Sequence, residues 1–443
     1  MNMQEIIMKF ILIILIIFGV YIFYKKRNKY ELILNARFWI FISWITIFIL
    51  YFFSGIKYKI NLNLYSFGYI ILCLAIFFSG QYIIKKKKDK DEKNKMEVFR
   101  KINFLPLFVV AFISVMIYSI YIIKINNIKI GVTRNINTNG IATILLLFSN
   151  SSLVIWLYEL AYSILNEKKI TWYGLLSGVI YNIPGIIISG RDALMIFFVA
   201  TIIVLFYCGN YAKKVLGLEG KMYKKILKLL GICLLMMMFY LIFLSNSRYG
   251  STREATIQMF KWSTDCQFPE YLENIYYNGG KVGSLILNIV FYYSSQLSKF
   301  SLVFEKYNGP YILGFYQLHY ISRILPDFME MNFTNVTNSI RQIAYNAGIP
   351  GIKVFWETAI GYSIYDFGKI GTLFISLMGG MLVEKINILS RKKELIISIL
   401  IRAFICIAMF LTIEVSPLFD YYYIFPLFWL IMIVLFEKRR KSS

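Results

Sequence analysis

The chain of 443 residues is 58% hydrophobic and 18% aromatic, with a mean hydropathy of +0.62 and a net charge of +24. Only 16% of it is charged, against about 25% in a water-soluble domain, which excludes a soluble globular fold. The positive charge does not indicate nucleic acid as a partner. It sits in short connectors between long apolar runs, where the positive-inside rule places it, and no soluble domain is left to hold a duplex.

One histidine and five cysteines give no Cys/His metal cluster and no CxxC pair, so neither a metal nor any other cofactor is expected. Cys73, Cys208, Cys233 and Cys406 lie in or beside apolar runs as small core residues. Cys266 stands in a polar stretch with no partner, and no disulfide is expected.

Runs of about 17–25 apolar residues suffice to cross the hydrocarbon. In chain order they fall at 6–24, 37–53, 64–84, 104–123, 141–165, 172–188, 193–208, 226–245, 368–388, 395–412 and 422–436. The first, Ile6 to Phe23, is followed at once by Lys25, Lys26, Arg27 and Lys29 and has no small-residue cleavage site. It reads as a retained span with its N-terminus outside. Lysine blocks such as Lys85-Lys86-Lys87-Lys88, Lys213-Lys214, Arg391-Lys392-Lys393 and Lys438-Arg439-Arg440-Lys441 mark alternate connectors and the tail as cytoplasmic. The expected fold is an all-α polytopic membrane protein of about 11 (10–12) transmembrane helices, placed in a bacterial cytoplasmic membrane with its C-terminus inside. Residues 1–245 form an N-terminal bundle, 246–367 one large extracytoplasmic loop carrying short helices, and 368–443 the C-terminal helices and basic tail. Within the loop, Ser284, Asn288, Ser295 and Lys299 recur at helical spacing among apolar residues over 284–303. That pattern predicts a helix lying in the membrane interface rather than one crossing it.

Chemistry-bearing residues concentrate on the outer side. Ser189-Gly190-Arg191-Asp192 joins two apolar runs. An arginine there either snorkels and pairs with Asp192 or holds an anion. A guanidinium offers phosphate a two-pronged donor set and never deprotonates. Arg248, Arg253, Arg323 and Arg341 follow on the long connector; each alone reads as a solvated charge, and together they suit a cationic pocket for a diphosphate. Glu357, Asp366 and His319 are the groups able to accept a proton from a sugar hydroxyl, although caps and packed histidines use the same residue types. Glu159 and Arg402, inside expected spans, read as a structural ion pair. Tyr271, Tyr276, Tyr277, Tyr292, Tyr293, Tyr311, Tyr316, Tyr345, Tyr362 and Tyr365 suit an interfacial belt.

Four features, in order, resemble the Wzy-type O-antigen and capsule repeat-unit polymerases. They are Ser189-Gly190-Arg191-Asp192 opening a span, the long connector after 245, Asn335-Val336-Thr337 within it, and Gly361-Tyr-Ser-Ile-Tyr-Asp366-Phe-Gly368-Lys-Ile-Gly371 opening the next span. The likeness covers roughly 180–390. It implies glycosyl transfer between polyprenyl-diphosphate-linked oligosaccharides at the outer membrane face, with inversion, without a nucleotide sugar or metal, and with arginines holding the diphosphates. Membrane lipids, a chain-length regulator and a flippase would be partners. Arg191 matches the family's hairpin arginine and Asp366 the acid of its glycine-rich stretch. Arg341 lies where the family has an arginine, but nine residues separate it from Gly351, short of the family's spacing. O-antigen ligase shares this architecture and donor. A polyprenyl-phosphate-sugar transferase would need acids in its first outer connector, and 54–63 has none. A lipid-linked oligosaccharide transporter or flippase would show inverted repeats, and none is visible.

Overall fold

The computed structural model describes residues 3–24, 29–84, 101–125, 140–188, 190, 192–214, 216, 217, 219, 221, 223–228, 231, 235, 253–318, 327–349, 357–390 and 395–442. Among them the chain is all-helical, with no strand and one isolated bridge, Lys57 to Gln267. The helices are α1 Met3–Tyr24, α2 Ala36–Phe53, α3 Leu64–Ile83, α4 Leu105–Ile125, α5 Gly140–Ser149, α6 Ser151–Asn166, α7 Trp172–Ile187 and α8 Asp192–Lys214. After them come α9 Arg253–Thr264, α10 Glu270–Asn278, α11 Gly280–Lys306, α12 Asp327–Asn346, α13 Ala359–Ser390, α14 Leu395–Leu411 and α15 Tyr421–Ser442.

Seven helical stretches are long and apolar enough to cross a bilayer: α1 to α4, α5 with α6, α8 and α13. Trp172–Ile187, Ile396–Leu411 and Tyr421–Phe436 are apolar but shorter. By length and composition the described residues therefore give seven spans where eleven were expected. The expected span 226–245 lies largely outside them.

The bundle is built around α6, in which every residue from Ser151 to Leu165 is buried. A helix enclosed on all sides must satisfy its polar groups internally. Ser151 donates to the Phe148 carbonyl at 2.7 Å, and Trp156 Nε1 to Thr201 Oγ1 on α8 at 2.9 Å. Glu159 corrects the expected ion pair. Its carboxylate accepts from the Tyr173 phenol at 3.1 Å and the Thr171 backbone N–H at 3.4 Å, with Lys101 Nζ at 3.9 Å. It thus sits at the N-terminus of α7, where the helix dipole favours an anion. Arg402 reaches the carbonyl of Leu34, the last residue of a short 3-10 helix at Lys29–Leu34, at 3.4 Å, so each charge is met by the end of a helical segment rather than by the other.

The most extensive helix pairing is α3 with α13, and glycines set its distance. A Cβ on Gly80 would stand 2.3 Å from the Leu377 carbonyl oxygen, and one on Gly380 2.0 Å from that of Phe77. Close backbone approach through small residues is how helices pair where lipid removes the hydrophobic drive. At the same end of the pair, Arg37 of α2 donates to Gln81, lies 3.5 Å from Glu384 and stacks 4.4 Å over Tyr82.

Helix α11 covers the expected 284–303 and extends beyond it, and its polar row is turned into the protein. Ser284, Asn288, Ser295 and Lys299 are all buried. One face lies across the α2–α3 connector: Ser294 shares a 2.6 Å hydrogen bond with Tyr58, Ser298 donates to the Ile60 carbonyl at 2.7 Å, and Ser301 meets Ser66 at 3.2 Å. Asn63 bonds Glu305 on the same face. Positions 294, 298, 301 and 305 follow one side of a helix, so that side is used up by the connector. The opposite side, with Gln296 and Lys299, faces into the protein.

Candidate functional site

Helix α13 begins nine residues before the expected span and is broken at Gly368, whose φ of 68° and ψ of 179° are non-helical. Only glycine takes that conformation without strain, and the Tyr311 ring packs against it at 3.3 Å from where a Cβ would stand. The short half before the break, residues 360–366, is buried on every side. It carries Tyr362, Tyr365 and Asp366 inward and begins just after Glu357.

Tyr365 donates its hydroxyl to Glu357 Oε2. Around them stands a cage of rings. Tyr316 lies 5.0 Å from Tyr365 and 5.4 Å from Tyr362, and Phe333 of α12 stacks on Tyr316 at 4.9 Å. Tyr307 approaches Tyr365 at 4.9 Å, and Phe419 approaches Tyr362 at 4.7 Å. Burial among these rings pushes the Glu357 carboxyl up to about 7, with the Tyr365 hydroxyl and the Lys299 charge pulling the other way. Lys299, fully buried on α11, is driven well below the usual lysine range by loss of solvent, with Glu357 opposing the drop. A carboxyl near neutrality beside a buried amine is a group able to accept a proton at working pH.

Asp366 is differently employed. Its Oδ1 accepts from the Tyr316 backbone N–H at 2.9 Å, its Oδ2 from that of Gln317 at 3.2 Å, and its carbonyl from Leu313 N–H at 2.9 Å. It pins the 312–318 turn on which Tyr316 stands, and so positions the cage. Asp420 caps α15, accepting from the Tyr422 N–H at 2.8 Å. Burial, and next the nearby Asp192 carboxylate, raise its pKa well above the usual range.

Beside this centre an apolar groove of about 540 Å³ runs between α2, α3, α13, α14 and α15. Its walls include Trp44, Phe77, Leu382, Ile405, Met409 and Leu435, and among the described residues no Lys, Arg, Asp or Glu lines it. From Tyr423 to Leu435 along α15 it spans on the order of 18 Å at 1.5 Å per residue. Leu382, Ile431 and Leu435 are half exposed or more, so the groove is open along one side. Its polar rim is Gln317, Ser363, Thr412 and Ser416, with Ser416 donating to Gln317 Oε1. Gln317 and Ser363 are the chain neighbours of Tyr316 and Tyr362, so the rim adjoins the tyrosine cage.

Glu357 and Asp366 are thus brought to one place, both touching residues around Tyr316. Arg341 is not part of that centre; it is exposed on α12 and donates to Asn338 Oδ1 at 3.3 Å. Arg191, Arg248, Arg323 and His319 lie outside the described residues, and Arg253 opens α9 without a described side chain. Lys299 and Asp420 were not anticipated as site residues. The signals were a lysine within an otherwise apolar helix and an acid directly before Tyr421-Tyr422-Tyr423. No protein-family model, curated protein or solved structure matches the chain.

Proposed function

We propose that this protein is a glycosyltransferase-type polymerase that joins polyprenyl-diphosphate-linked oligosaccharide repeat units at the outer face of a bacterial cytoplasmic membrane. In this reading about 11 helices span the bilayer, the N-terminus is outside, the C-terminus is cytoplasmic, and 246–367 is extracytoplasmic. The observation that carries it is the open apolar groove whose polar rim adjoins the Glu357–tyrosine centre. A groove without charge and open to lipid suits an isoprenoid tail, while the rim holds the head near a proton acceptor. The acceptor hydroxyl attacks the anomeric carbon of the donor chain, and its proton passes to Glu357. The bond from that carbon to the diphosphate breaks with inversion, and the polyprenyl diphosphate leaves. Arg191 is assigned to the leaving diphosphate from its place in Ser189-Gly190-Arg191-Asp192.

The test is the purified protein in nanodiscs, supplied with lipid-linked repeat units extracted from cells lacking it. A ladder of carrier-bound products is expected, lost in Arg191→Ala and poor in Arg191→Lys, because a point charge does not replace a fork. Absence of any ladder from wild type sinks the reading. Transfer only to an acceptor lacking the carrier would indicate a ligase. A second reading, movement of the lipid-linked unit across the bilayer, is favoured by the break at Gly368, since interrupted helices mark transport sites. It predicts translocation in liposomes without new glycosidic bonds.

A further inference from the structure

Helix α12 has two unlike faces. Val336 and Ala344 are buried and Ile340, Ile343 and Ala347 partly so, packed towards Leu302, Val303 and Ile60. On the other side Thr334, Asn335, Asn338, Arg341, Gln342, Tyr345 and Asn346 are all exposed. Tyr345 is 71% exposed, an unusual position for a large ring on a helix otherwise well packed.

The four amides at 335, 338, 342 and 346 follow one helical row, one per turn of about 5.4 Å. That interval is close to the length each pyranose adds to an extended glycan. Side-chain amides both donate and accept, as neighbouring sugar hydroxyls require, and a flat phenol offers an apolar face to the C–H side of a sugar ring. The row is held in place, with Gln342 Nε2 donating to Asn346 Oδ1 at 3.2 Å and Arg341 donating to Asn338. Residues 333–346 contain no carboxylate, and Arg341 is the sole cation there, so the face is built neither for a metal ion nor for an anionic bilayer surface.

The helix that carries the row is anchored to the site by its other face. Phe333, one turn before the buried Val336, stacks on Tyr316, which packs on Tyr365, the donor to Glu357. Its far end turns at Gly348 beside Lys59, whose amine bonds the Gly348 carbonyl at 3.4 Å. From Phe333 to Asn346 the helix runs roughly 20 Å.

We propose that this amide-and-tyrosine face of α12 binds the product glycan over several pyranose units as it leaves the Glu357 centre, so that the chain is retained between successive transfers. The inference rests on the polymerase reading and assigns a subsite to it.

The experiment compares wild type with Tyr345→Ala, Tyr345→Phe and the double variant Asn338→Ala/Gln342→Ala, all full-length in nanodiscs. Two readouts are taken: the product ladder from extracted lipid-linked repeat units, and binding of carrier-free polysaccharide purified from the source cells. The alanine variants are expected to shorten the modal product several-fold and to weaken polysaccharide binding at least 5-fold, while Tyr345→Phe, which keeps the ring, stays near wild type. Wild-type length and binding in the alanine variants would overturn the inference and leave the polymerase reading standing. No ladder from wild type, with polysaccharide binding still lost in the variants, would support the glycan face and overturn polymerisation. Equal losses in Tyr345→Phe and Tyr345→Ala would count against ring stacking and overturn the subsite as described.

Discussion

Tyr365 donates a hydrogen bond from its phenol to Glu357, and the carboxylate that accepts it also feels the buried Lys299 on a different helix. Residues 58 apart in sequence are thereby joined in one titrating unit. Loss of solvent holds the Glu357 proton to about pH 7 against an ordinary value of 4.5. Its base form fills as pH rises, so polymer formation is expected to climb through about pH 7. Glu357→Gln should flatten that limb and slow the reaction about 10²- to 10⁴-fold. Lys299→Met removes a charge that pulls the Glu357 pKa down, so the limb should move to higher pH. A pH–rate profile on the three proteins decides, and an unmoved midpoint in Lys299→Met refutes the coupling. The same shift bears on stability. A native state that keeps a proton the unfolded chain releases is favoured below about pH 4.5 and loses that advantage as pH rises through 7.

Asp366→Asn separates positioning from proton transfer. Both carboxylate oxygens accept backbone N–H groups from the 312–318 turn, and an amide keeps only one acceptor. A stability loss of about 1–3 kcal/mol is expected from the orphaned donor, with the pH midpoint of the remaining activity unchanged. Thermal unfolding in detergent and the pH profile measure the two. A displaced midpoint would put Asp366 in the chemistry.

Filling the groove should discriminate by tail length. Ala408 lines it, and Ala408→Trp would occupy much of its width. The KM for full-length lipid-linked substrate is expected to rise at least 10-fold, on the order of 1.4 kcal/mol. A substrate analogue cut to two isoprene units should be little affected. Equal effects on both tails would mean that the groove is not where the tail lies.

The α3–α13 crossing can be tested with neighbouring glycines. Gly80→Leu meets the Leu377 carbonyl and must part the helices. A cost of about 1–3 kcal/mol is expected, seen as a lower melting temperature. Gly379→Ala adds a methyl in ordinary contact with Phe77 at 3.7 Å and should be tolerated. A stable Gly80→Leu protein would show that the two backbones need not touch.

The apolar spans were legible because a bilayer demands length and hydropathy that few other structures require. Glu357 and Asp366 were legible as acids beside a span, though nothing local separated the carboxyl that burial holds near neutrality from the turn-pinning one. That distinction depends on Tyr316 and Gln317, some 50 residues earlier. The burial of α11's polar row was not legible for a related reason. Helical spacing of Ser284, Asn288, Ser295 and Lys299 reveals a stripe, but whether water or protein covers a stripe is a tertiary matter. The bond from Ser298 to the Ile60 carbonyl, which seats the opposite face of that helix on the 54–63 connector, has no local signature. The half-helix before Gly368 reads in sequence as part of a loop because its tyrosines and acid depress hydropathy; packing on all sides outweighs that composition.

The full enclosure of α6 bears on how the chain is made. Its serines and Glu159 are at home only when α4, α7, α8, α14 and α15 have closed round them, and α15 begins some 255 residues after α6 ends. The centre of the bundle therefore waits for helices made long after it, and a chain interrupted before α15 would leave one side of α6 open to lipid.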